Sequence, residues 1–209
     1  MRYLLFLALL GTACTDVPVE LNRYDSVRDR MSAVPTYLYV HDEASSGAVT
    51  ARRRGSDGWI TGSAELAIER GYMRARIDDE GQLQIDQLSV DIAPIALEGV
   101  FQKPAELQDV QLRLAQPVRS PMAWASADDA TASLVMLGDF DWGISLDGAD
   151  SYLLATQQLP PQTVQVAFTG SGDHIEASLA FDAAGELWTW ADIIQVTNLS
   201  LSLTAMTAD

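Results

Sequence analysis

The sequence predicts an all-β fold carrying a single N-terminal helix, and three observations lead there. Apolar residues recur at period two over most of the chain. Turn-forming Gly, Pro and Asp interrupt them at roughly the 8–12-residue spacing of an antiparallel β domain. Helical spacing is clear in only one place, near the start. The expected architecture is an antiparallel β-sandwich or an up-and-down barrel of about ten strands, with the helix packed on it.

The helix comes first. Leu21, Tyr24, Val27, Met31 and Val34 fall three to four residues apart and Pro35 stops the run, which predicts a helix over about 20–33 that caps one end of the sheet. Next, "TYLYVH" reads as a strand, "DEASSGA" as a loop and "WITGSAELAIE" as a strand. In "YMRARID", Met73, Ala75 and Ile77 share one face, while Tyr72, Arg74 and Arg76 share the other. Asp78 to Gly81 is a turn. The apolar set then runs Leu83, Ile85, Leu88, Val90, Ile92, so its phase flips at Asp86-Gln87, which predicts a bulge or bend. Val110, Leu112 and Leu114 mark another strand. Pro117 and Pro121 make "PVRSPMAWASADDA" a loop or a broken edge.

The second half continues in the same way. Ala130 to Met136, Phe140 to Leu146, Val164 to Phe168, Ile175 to Phe181 and Leu199 to Leu203 all alternate. Phe140, Trp142 and Ile144 oppose Asp139 and Asp141. The segments Ile77–Leu83 and Phe181–Leu187 both read apolar-Asp-x-x-Gly-x-Leu, so "DAAG" is expected to turn as "DDEG" does, and a duplication of the two halves is one reading of the echo.

The first residues address the chain. Arg2 is a short positive region, Tyr3 to Leu10 are apolar, and Gly11, Thr12 and Ala13 are small. A run this short cannot cross ~30 Å of hydrocarbon, so residues 1–13 read as a secretory signal peptide. The sole cysteine, Cys14, follows directly. "LLGTAC" resembles the lipobox of bacterial lipoproteins, with Gly11 standing where Leu is commonest. That resemblance covers residues 1–16 and implies a diacylglycerol thioether on Cys14, with the new amino terminus usually acylated as well. Two or more chains anchor stably. Residues 14–20 then form a lipidated tether and 21–209 a single β-rich domain. In the enterobacterial form of the family, Asp after the cysteine retains the protein at the inner membrane. Thr15 stands here, which implies the outer membrane, with the domain on its periplasmic or surface side.

The formal charge of −16 bounds the partners. It argues against nucleic acid, whose binding relies on neutralising phosphates with Lys and Arg. With no second cysteine, no intrachain disulfide can staple the domain.

Candidate sites are few, and each has a structural alternative. Arg52, Arg53, Arg54, Arg70, Arg74 and Arg76 crowd into 25 positions and suggest a patch for phosphate, uronate or another anionic envelope ligand. Cross-strand pairing with Asp and Glu is the alternative. Trp188 and Trp190 alternate with Leu187 and Thr189; facing outward they would stack on sugars, facing inward they belong to the core. His41 and His174 lie beside carboxylates, but no metal-ligand spacing surrounds them, so no metal or cofactor is expected. Ser171, Asp173 and His174 sit within four positions, without the elbow a nucleophile needs, and read as a hairpin tip. Asp139 with Asp141, and Asp147 with Asp150, are carboxylate pairs of the kind an acidic chain produces anyway; the second could hold calcium in a loop. These readings favour a non-enzymatic envelope module that binds a glycan, a lipid or another envelope protein, or serves structurally. A lipid or lipoprotein carrier is the second reading, since such envelope lipoproteins also lay a helix on a curved sheet. An envelope glycan hydrolase is the third.

Overall fold

The computed structural model describes residues 24–100, 104–146, 155–190 and 194–208. Cys14, the tether and the Asp147–Asp150 turn lie outside the described residues, as do the side chains of Trp188 and Trp190. After helix α1 (Val27–Ala33) come β1 (Thr36–Val40), β2 (Ser46–Gly55), β3 (Gly58–Leu66), β4 (Ile68–Ile77), β5 (Gln82–Ile92), β6 (Ile95–Ala96) and β7 (Ala105–Leu114). The chain continues through β8 (Val118–Trp124), β9 (Ala130–Met136), β10 (Gly138–Leu146), β11 (Ala155–Gln158), β12 (Gln162–Gly170), β13 (Ile175–Trp190) and β14 (Ile194–Met206).

Eight of these strands close a barrel. Around it run β1, β4, β5, β8, β9, β12, β13 and β14, every neighbour antiparallel, with β14 returning to β1 through Met206–Tyr39 and Ala205–Val40. The order is an up-and-down meander in chain order. The expectation of an all-β fold with one helix holds; the sandwich alternative does not, and among the described residues there are fourteen strands where about ten are expected. The additional strands are excursions between barrel strands. β2 and β3 interrupt the passage from β1 to β4, β6 and β7 that from β5 to β8, and β10 and β11 that from β9 to β12. In an up-and-down ring these connections share one end with the β13–β14 connection, so the excursions build an upper layer there. Within it β2 lies on β14, while β7, β10 and β11 extend outward from β5.

The opposite end is plugged. Val27 and Met31 of α1 are fully buried. The backbone N–H groups of Val27 and Arg28 donate to Asp128 Oδ1 and the Ala127 carbonyl in the β8–β9 turn, at 3.1 and 3.0 Å. The Arg30 guanidinium donates to the carbonyls of Gly172 and Asp173 in the β12–β13 turn, at 3.0 and 2.8 Å. The helix is shorter than its apolar spacing suggests because Ser26 fixes the start: its backbone is extended and its hydroxyl accepts from Asp29 N–H, so Tyr24 and Asp25 stay outside the helix.

Alternation along each strand fills the interior. Leu38, Met73, Leu83, Ile85, Leu134, Phe168 and Ile175 are essentially inaccessible inside the barrel, as are Phe140, Ile144 and Leu199 in the upper layer. One continuous apolar cluster joins the two. Where they meet, the crevice between Leu112, Met136, Leu179 and Leu203 has a volume of only about 20 Å³.

Three local readings change. "PVRSPMAWASADDA" is not a loop, because β8 crosses it with Pro121 opposite Gln82, completing the ring between β5 and β9. Residues 46–55, where no strand is predicted, form β2. "DAAG" does not turn: β13 runs straight through it and only its register with β14 shifts between Ala184 and Trp188. Asp78–Gly81, by contrast, does turn, with Asp78 Oδ1 accepting from Glu80 and Gln82 N–H at 3.0 Å each and Gly81 at φ +77°. The echo therefore joins a hairpin to a mid-strand irregularity, not two copies of one element. The bulge expected at Asp86-Gln87 is present: Arg74 pairs with Gln87 and Ala75 with Ile85, leaving Asp86 as the extra residue.

Candidate functional site

The filled interior directs attention to the outer face, where one broad region is laid out in register. From β1 through β4, β5, β7 and β10 to β11, side chains of the same parity point to solvent while Met73, Val90, Leu112 and Phe140 point in. One row crosses five strands as Arg70, Asp91, Gln111, Asp141 and Thr156, each the direct partner of the next. A second row, two residues away, crosses six strands as Tyr39, Tyr72, Ser89, Arg113, Asp139 and Gln158. A third consists of Tyr37, Arg74 and Gln87.

Side chains of the first row are bound in two hydrogen-bonded groups, one around Asp91 and one around Asp141. Arg70 Nε donates to Asp91 Oδ2 at 2.5 Å, and Gln111 Nε2 donates to Asp91 Oδ1. Thr156 Oγ1 donates to Asp141 Oδ1 at 2.6 Å, and Arg113 Nη2 donates to Asp141 Oδ2. Burial raises the affinity of Asp91 for a proton, but hydrogen bonds from Gln111 and Arg70, and the charge of Arg70, outweigh it and hold the carboxyl below its ordinary range. Arg70 is shifted upward in turn, chiefly by its hydrogen bond to Asp91. A groove of about 680 Å³ follows this row, floored by Ile92, Pro94 and Val110 and rimmed by Glu69 and Asp109.

Asp109 is the one described non-glycine residue with positive φ, at 52°. It lies at a bulge in the β7–β10 pair, where Gln111 faces Asp141 but Gln108 already faces Gly143. Asp tolerates the left-handed region better than most residues. The bulge also keeps Gln111 in line with Asp91 and Asp141.

The second and third rows place three tyrosines together. Tyr37 and Tyr39 are 45% and 52% exposed, a high value for such rings. The rings of Tyr37 and Tyr72 lie 6.4 Å apart, tilted by 39°, and Arg74 sits 5.7 Å above the Tyr37 ring.

The six clustered arginines separate into two groups. Arg70, Arg74 and Arg76 project from β4: Arg70 binds Asp91, while Arg74 and Arg76 stand 3.9 and 4.0 Å from Asp86 Oδ2, and Arg76 donates to Gln84 at 2.9 Å. Arg52, Arg53 and Arg54 lie at the tip of the β2–β3 hairpin. Arg53 faces residue 194 of β14, whereas β1 meets β14 at residues 205 and 206, so the two groups are separated by most of that strand's length. Arg52 donates to Gln195 at 2.7 Å and stacks 4.6 Å from the centre of exposed Trp59, and Arg53 donates to the Val100 carbonyl at 2.7 Å.

The remaining candidates do not converge. His41 is exposed after β1, and His174 is exposed in the β12–β13 turn, where its N–H donates to Ser171 Oγ at 3.3 Å. Asp139 and Asp141 share the outer face of β10 as their spacing suggests. Among the described residues no three His, Cys, Asp or Glu side chains gather as metal ligands, and no helix is long and apolar enough to cross a membrane.

Sequence reasoning finds Asp139, Asp141, Tyr72 and Arg74 by their parity and Arg70 by its place among the clustered arginines, but it misses Asp91, Gln111, Thr156 and Tyr39 as members of the same surface. Their alignment depends on β5–β7–β10–β11 pairing, which leaves no local signal in the chain. No protein-family model matches this chain, and no curated protein matches it significantly.

Proposed function

We propose that this chain is a non-enzymatic, lipid-anchored module of the bacterial outer membrane that binds envelope material through its outer sheet face. The lipobox-like segment ending in Cys14 supports the anchor. The observation that carries the binding reading is the contrast between a filled barrel and an ordered exterior. Among the described residues the crevice between Leu112, Met136, Leu179 and Leu203 is about 20 Å³, whereas the groove along Asp91, Gln111 and Asp141 is about 680 Å³. A lipid carrier needs an internal cavity of several hundred Å³, so the carrier reading has less support. A glycosidase needs a carboxyl with a raised pKa to act as acid; Asp91 is shifted the other way.

Labelled palmitate fed to bacteria expressing the full chain tests the anchor. The wild type should carry label and sediment with membranes, and a Cys14→Ala variant should do neither. Co-sedimentation of purified protein with isolated envelope material tests binding. An unlabelled wild type would overturn the first part, and protein left wholly in the supernatant the second.

A further inference from the structure

We propose that the β1–β4–β5–β7–β10–β11 face is a platform for an uncharged glycan chain, a proposal that rests on the binding reading above and names its ligand class. The first argument is charge. The three rows contain three cations, Arg70, Arg74 and Arg113, and three anions, Asp91, Asp139 and Asp141. Glu69 and Asp109 on the rim of the groove add two further anions, so the face carries no excess of positive charge for an anionic ligand. Arg70 and Arg113 are each held by a carboxylate on the platform, and Arg74 faces Asp86 beside it. An anionic polymer would have to compete with those carboxylates, and a cationic one with those guanidiniums. A ligand without charge competes with neither.

The second argument is hydrogen-bonding pattern. Along the five-strand row, donors and acceptors alternate: guanidinium, carboxylate, amide, carboxylate, hydroxyl. A sugar hydroxyl is at once donor and acceptor, so vicinal hydroxyls complement such a row. The side chains are already fixed by one another, which reduces the entropy lost on binding. At ~4.8 Å between strands, the row extends over roughly 19 Å, which suits a short oligosaccharide laid across the strands better than a single sugar.

The third argument is aromatic. Tyr37, Tyr39 and Tyr72 stand at one end of the platform, two of them about half exposed. Exposed rings beside a polar row give the C–H faces of a pyranose a surface to stack on.

An array of short uncharged oligosaccharides of hexose and N-acetylhexosamine, with uronate and sulfated glycans as the anionic arm, tests the proposal on the soluble Cys14→Ala chain. The expected result is binding to uncharged members, about tenfold weaker in a Tyr39→Ala/Tyr72→Ala variant. Asp91→Asn/Asp141→Asn should weaken it too, without loss of the wild-type circular dichroism spectrum. Binding confined to the anionic arm, no binding on the array, or full affinity in the tyrosine double variant would each overturn it. Co-sedimentation separates this failure from failure of the parent reading. If wild type and tyrosine variant sediment equally with envelope material, the module binds elsewhere and only the platform falls, as it would for a protein partner. If neither sediments, both fall.

Discussion

The barrel and the upper layer belong to one continuous sheet but are stabilised differently. The barrel closes on itself, so its backbone groups pair around the ring, and α1 seals one end through side-chain and backbone bonds to the β8–β9 and β12–β13 turns. The upper layer is open. Its strands end on β11 at one side, and β3 is hydrogen-bonded along β2 alone. It relies more on its apolar face, where Phe140, Trp142, Ile144 and Leu199 are buried. The lesson is that ring closure and side-chain burial are alternative ways to protect strands, and this chain uses both within one continuous core.

The largest expected effect tests that continuity. Phe168→Ala in the barrel and Phe140→Ala in the upper layer should each cost about 3–5 kcal/mol, read by urea unfolding, because both rings are at most 1% exposed. If the core is shared, fluorescence and far-UV circular dichroism will report a single coincident transition in both variants. A second transition in Phe140→Ala alone would separate the layers. Next comes the plug. A Cβ at Gly172 would collide with the Tyr24 backbone, so Gly172→Ala should lower stability by about 1–3 kcal/mol, while Gly99→Ala in the upper layer meets no neighbouring atom and is strained only by its positive φ. Ser26→Ala removes the cap of α1 and should cost about 1 kcal/mol, again visible as a shift of the urea midpoint.

The smallest effects belong to the outer face. Arg70→Ala should change stability by less than about 1 kcal/mol, as exposed pairs do. Acid has a defined sign. The Asp91 pKa is lowered on folding, so its contribution is present above the ordinary value of 3.8 and is lost as pH falls below it. Stability measured from pH 6 downward should therefore fall less steeply in Asp91→Asn than in the wild type.

The barrel was more legible in the sequence than the layer above it. Met73, Ala75 and Ile77, or Val164, Val166 and Phe168, declare a face by parity alone, and the slip at Asp86 is visible because one strand changes phase. β8 is hidden by Pro117 and Pro121, yet Pro121 sits in the ring opposite Gln82, where the long-range pairing decides the outcome. β2 is hidden because Arg52, Arg53 and Arg54 mask its alternation, although Val49 and Ala51 are buried. The polar face was half legible: parity shows which residues point outward, and only strand order shows which of them stand side by side.

The seam between β1 and β14 has a consequence for assembly. On this flank Tyr39 and Val40 find their partners only at Met206 and Ala205. As the chain folds, its leading β-strand must wait with one flank unsatisfied until nearly all that follows has formed. Contacts so distant along the chain make for slow folding, so closure of the ring is the late step.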